Sequence, residues 1–75
     1  MEGPVSSVAT FTFVDPSGRR EKATRRQNPD GTIGGWVAAS AVVHETAIIE
    51  VDAVVEPGVV VEAGRRIKNG QVAAR

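Results

Sequence analysis

His44 is the single histidine of this 75-residue chain, and there is no cysteine. A zinc site gathers three or four nitrogen, sulfur or oxygen ligands in one place. One copy therefore cannot build a histidine cluster or a thiolate site. Three carboxylates, Glu50, Glu56 and Glu62, recur six residues apart. Cations crowd into residues 19–26, where Arg19, Arg20, Lys22, Arg25 and Arg26 oppose Glu21 alone. Guanidinium forks pair with phosphate oxygens, which makes this segment the polyanion-binding candidate. No aromatic residue interleaves with it, so the stacking platform of a single-strand binder is missing. An edge strand kept soluble by its charges is the plainer reading, and nucleic acid is not the favoured partner. Trp36 is the only tryptophan; it either packs or offers a ring to a ligand, and packing is the commoner use. No phosphate-binding loop, dinucleotide fingerprint, paired-cysteine or zincin motif is present, and no cofactor is expected.

The elements that must position these residues follow from pattern. A chain of this length makes one small domain, residues 1–75, and buries little surface by itself. Without disulfides, self-association is the expected remedy. The formal net charge is zero, but the signs are segregated. Residues 44–62 hold Glu45, Glu50, Asp52, Glu56 and Glu62 without a Lys or Arg, and Arg65, Arg66 and Lys68 follow. Opposite patches favour complementary association. The first residues, Met-Glu-Gly-Pro, lack the basic start and apolar run of a signal peptide, and the apolar stretches are too short to cross a bilayer. These features lead to the expectation of a cytoplasmic or virion-associated soluble protein with no membrane partner.

Residues 5–14 alternate with period two and carry Phe11 and Phe13 on one face, which predicts a strand. Asp15-Pro16-Ser17-Gly18 supplies a turn. Residues 19–27 form the polar second arm of a hairpin. Asn28-Pro29-Asp30-Gly31 repeats the turn chemistry and leads to Ile33-Gly34-Gly35-Trp36-Val37. The expectation is that residues 5–37 are a hairpin and capping segment, with Trp36 covering the end of the core beside Ile33 and Phe11 or Phe13.

Residues 41–70 are a repeat of six. Ala41, Ala47, Ala53 and Val59 form a small column. Val43, Ile49, Val55, Val61 and Ile67 form an aliphatic, β-branched one. Thr46, Asp52, Gly58, Gly64 and Gly70 form the last. A spacing of six drifts around a helix of 3.6 residues per turn, and Pro57-Gly58 would interrupt one. Short strands separated by turns fit, with residues 71–75 as a tail.

This pattern, best seen in Ala53-Val54-Val55-Glu56-Pro57-Gly58, resembles the hexapeptide repeat of left-handed parallel β-helices, a motif of many acyltransferases and of γ-class carbonic anhydrases. The leading Gly34-Gly35-Trp36-Val37 is similar to the start of some bacterial members. The resemblance implies an all-β fold, a hairpin followed by a short left-handed parallel β-helix in which three hexapeptides make one triangular coil. It implies that Ala41, Val43, Ala47, Ile49, Ala53, Val55, Val59, Val61 and Ile67 point inward. It places successive glutamates on different faces, so Glu50, Glu56 and Glu62 do not converge and are read as solvated corner charges. Enzymes of the family carry a catalytic or metal-binding histidine near a subunit boundary, which makes His44 the weak catalytic and metal candidate. It would be a zinc ligand shared between copies, a general base for acyl transfer, or, the favoured reading, an ordinary corner residue.

Five units make fewer than two coils, and repeats of this kind support one another by stacking. The outward residues Val42, Ile48, Val54 and Val60 would form apolar strips on all three faces, and exposed apolar area of that sort marks an interface. The expectation is a small, non-catalytic, oligomeric scaffold or protein-interaction module, trimeric in preference to an end-to-end dimer, with itself or another protein as partner. The alternatives are a miniature enzyme assembled at a subunit boundary near His44, and a polyanion binder through residues 19–26.

Overall fold

The computed structural model describes residues 11–74, so residues 5–10 of the expected first strand and Arg75 lie outside the described residues. The described residues form strands and turns with no helix: the fold is all-β. β1 (Thr12–Val14) and β2 (Arg20–Gln27) pair antiparallel, with Phe13 opposite Glu21. The turn between them closes through Gly18 N–H donating to Asp15 O at 2.9 Å. The Asp15 carboxylate accepts from the Ser17 hydroxyl at 2.7 Å and from Arg19 N–H at 2.9 Å. Proline and glycine bracket this turn, as its backbone geometry requires.

β2 pairs antiparallel with β3 (Ile33–Ala38), and their register slips between Arg25 and Gln27. Gln27 faces Ile33 while Arg25 faces Trp36, so the extra residue lies in β3, at Gly34-Gly35. A bulge at glycines lets two backbones approach. A Cβ on Gly34 would lie 2.1 Å from Ile49 O, and one on Gly35 would lie 1.8 Å from Ala53 O. The glycine pair therefore serves the contact between β3 and the chain at 49–53, which the order of types alone does not reveal.

Six two-residue strands follow: β4 (Val42–Val43), β5 (Ile48–Ile49), β6 (Val54–Val55), β7 (Val60–Val61), β8 (Arg66–Ile67) and β9 (Val72–Ala73). Each pairs parallel with the strand eighteen residues away: Val42 faces Val60, Ile48 faces Arg66, and Val54 faces Val72. β3 joins the same ladder, with Trp36 facing Val54. The chain thus returns on itself after every third strand, and three separate sheets enclose one core: β1-β2-β3-β6-β9, β4-β7 and β5-β8. Ala47, Ile49, Ala53, Val55, Val59, Val61 and Ile67 are buried in it, with Val37, Ala41, Val43 and Ala73 partly buried against them.

The corners carry a second ladder at the same offset. Ser40 Oγ accepts from Gly58 N–H at 2.9 Å, Thr46 Oγ1 accepts from Gly64 N–H at 3.0 Å, and Asp52 O accepts from Gly70 N–H at 3.2 Å. Gly58, Gly64 and Gly70 have positive φ, +76°, +75° and +82°, a conformation that side chains disfavour. The last column of the repeat therefore divides by circuit, acceptors in the first and left-handed glycines in the second.

Several expectations need correction. The ladder runs from Trp36 to Ala73, two full steps of eighteen, so it is longer than the repeat of residues 41–70. The supposed tail contains β9. Trp36 does not cover the end of the core; it stands in register with Val54 and Val72, in the outward column, because Gly35 and Val37 take the two inward places. Ile33 is exposed rather than packed beside it.

Candidate functional site

His44 lies at the corner after β4. Its Nδ1 accepts from Thr46 N–H at 3.1 Å and stands 2.9 Å from Thr46 Oγ1. Accepting a backbone proton at Nδ1 leaves the neutral ring's own proton on Nε2. This contact closes a local turn two residues long, and the ring is exposed. Among the described residues, no group of three His, Cys, Asp or Glu is placed to hold a metal ion.

The glutamates have unlike surroundings. Glu50 accepts from Arg66 Nη1 at 2.7 Å and from Asn69 N–H at 3.0 Å. The Arg66 hydrogen bond, followed by the Asn69 N–H, holds its carboxyl below the ordinary glutamate range. Glu56 follows β6 and Glu62 follows β7, on other sheets. Glu21, outside that column, accepts from Ser40 N–H, and hydrogen bonding by Ser40 lowers its pKa. Asp30 is lowered by the Thr32 hydroxyl, 2.6 Å away.

The basic segment divides into two roles. Arg25 sits 4.7 Å from the centroid of the Trp36 ring and donates to Gly34 O at 3.1 Å and Val51 O at 3.2 Å. Phe11 stacks on Trp36 with centroids 5.8 Å apart, and Phe13 lies 4.8 Å from Phe11. Cation–π and aromatic contacts thus occupy the tryptophan as a packing residue. Arg26 points to the corner after β4, where Nη2 donates to His44 O at 2.9 Å and Ala47 O at 3.1 Å. Arg19, Arg20 and Lys22 are exposed on the hairpin. The five cations read together in the sequence therefore do not form one patch for phosphates: two of them bind the protein's own carbonyls.

Asn28, read only as a turn residue in the sequence, is the one buried polar side chain among the described residues. Its Oδ1 accepts from Ile49 N–H at 2.9 Å and its Nδ2 donates to Ile49 O at 2.9 Å. With Arg26 on Ala47 O, these side chains cover the edge of β5 that no strand covers. No feature of Asn28-Pro29-Asp30-Gly31 signals a contact 21 residues away.

The outward column is uneven. Val42 and Val60 stand side by side across β4 and β7 and are 60% and 65% exposed. Ile48 lies opposite Arg66, and Val54 lies between Trp36 and Val72; both are half-buried. The expected apolar strips on three faces thus reduce to one bare valine pair on β4-β7, an interrupted strip on β5-β8, and an aromatic-bordered strip on the large sheet. No helix among the described residues is long and apolar enough to cross a membrane. Compared with models of known families, with curated proteins and with solved structures, the chain matches none.

Proposed function

We propose that this chain is a small, non-catalytic scaffold or protein-interaction module that associates with copies of itself, built on a left-handed parallel β-helix of the hexapeptide-repeat kind. The parallel pairing at an offset of eighteen supports that geometry, since eighteen residues are three hexapeptides. The observation that carries the functional reading is the Val42–Val60 pair, an apolar ridge on a face bearing no chemistry. Three copies around an axis bury one such ridge each, which removes apolar surface from water.

Sedimentation velocity at micromolar concentration tests this reading. The expected result is a trimer that Val60→Lys dissociates into folded monomers. A well-folded monomer of the unmodified chain would refute it.

A further inference from the structure

The two ends of the ladder differ. At one end β2 covers β3, and the side chains of Asn28 and Arg26 cover β5. At the other, β7, β8 and β9 each have a strand neighbour on one side only among the described residues. There Val61, Ile67 and Ala73 floor a concavity whose rim carries Arg65 and Lys68 beside Arg66, the last already paired with Glu50, and no Asp or Glu lines it. An open strand edge presents donors and acceptors that pair readily with an added strand.

We propose that this end receives an extended, acid-bearing segment of a partner protein. The strand edges supply main-chain hydrogen bonds, the apolar floor takes alternate aliphatic side chains, and the cationic rim pairs with carboxylates. A second copy is the poorer occupant. Stacking tail to tail sets Arg65 and Lys68 against their own counterparts. Stacking head to tail meets an end already covered by β2 and by the side chains of Asn28 and Arg26. The like charges met tail to tail oppose association. An acidic segment meets neither obstacle. This proposal names a partner for an interaction module but does not depend on self-association through the valine ridge.

The test uses a fluorescein-labelled peptide with the sequence of residues 47–64, which contains Glu50, Asp52, Glu56 and Glu62 and no Lys or Arg. Its anisotropy is titrated with the full chain at low salt, beside a scrambled peptide and one with lysine at the four acidic positions. The acidic peptide is expected to bind, the other two are not, and R65E/K68E weakens binding about tenfold. Arg65 and Lys68 are exposed, so this double substitution leaves the core intact. Val42→Lys, on the same ridge as Val60 but outside the concavity, keeps peptide binding even where it abolishes self-association, which separates this proposal from the preceding one. Absence of binding, equal binding of the lysine or scrambled peptide, or indifference to R65E/K68E overturns it. So does a dimer that Ala73→Lys dissociates and Val42→Lys does not, which assigns the end to a second copy.

Discussion

The side-chain amide of Asn28 occupies the place of a β-strand beside Ile49, accepting from its N–H and donating to its C=O, each at 2.9 Å. Ile49 is fully buried, so these backbone groups have no recourse to water. Leaving a buried donor or acceptor unmet costs about 1–3 kcal/mol. Asn28→Ala is therefore expected to destabilise the fold by about 2–4 kcal/mol, because two groups lose their partner. Asn28→Asp keeps the acceptor but sets a carboxylate against Ile49 O, and is expected to be no milder. Urea denaturation midpoints measure both; a change of only a few tenths of a kcal/mol would remove the amide from its assigned role.

The glycine pair gives a second prediction. Gly35→Ala places a methyl 1.8 Å from Ala53 O, backbone that cannot yield without parting β3 from β6. A loss of about 3 kcal/mol or more is expected, at the upper end of overpacking costs. Gly34→Ala, with its Cβ 2.1 Å from Ile49 O, is expected to behave alike. Thermal unfolding of the two variants checks this, and a normal midpoint for either would contradict the close approach.

Acid should weaken the fold. Glu50 and Glu21 are lowered from 4.5, and Asp15 and Asp30 from 3.8, by hydrogen bonds made only in the folded chain. A carboxyl with a depressed folded pKa contributes stability above its unfolded value and loses it as pH falls through the folded one. The urea midpoint is therefore expected to hold down to about pH 4.5 and to decline below it, and Glu50→Gln should make the decline shallower. Asp15 and Asp30 are exposed and Glu21 and Glu50 only partly buried, so each effect is small. A midpoint that rises on acidification would reverse the sign of the argument.

His44 provides a fourth test. Its Nδ1 serves as the acceptor for Thr46 N–H. Asparagine can close the same local turn, as alanine cannot. His44→Asn is expected to leave stability within about 0.5 kcal/mol, and His44→Ala to cost up to about 1 kcal/mol. Zinc should leave the unfolding midpoint of the unmodified chain unchanged. A rise with zinc that His44→Ala abolishes would move this residue from corner to metal ligand.

Much of the arrangement was legible in the residues. The inward columns appear in their periods of six, since a β-branched residue repeated at that spacing has no consistent face on a helix. Phe11 and Phe13 share a face as alternation requires, and their rings lie 4.8 Å apart. The hairpin turn follows from Asp15, Pro16 and Gly18. Even the division of the corner column into Ser40, Thr46 and Asp52 against Gly58, Gly64 and Gly70 is written in the chain, though its meaning emerges only once an offset of eighteen joins them.

The side-chain covers were not legible. Arg25 and Arg26 looked like members of one cationic run, but they are adjacent on a strand and point to opposite faces. One guanidinium therefore meets Trp36 while the next meets the carbonyls of His44 and Ala47. Asn28 pairs with Ile49 because a bulge at Gly34-Gly35 brings two backbones within reach, and no local preference encodes that distance. The residues by themselves determined which side chains enter the core, because burial of an aliphatic column is a periodic requirement that sequence displays. Only the tertiary structure decided which strand edges are covered and by what, because an unmet backbone group is satisfied by whatever lies nearest in space, however far away in the chain.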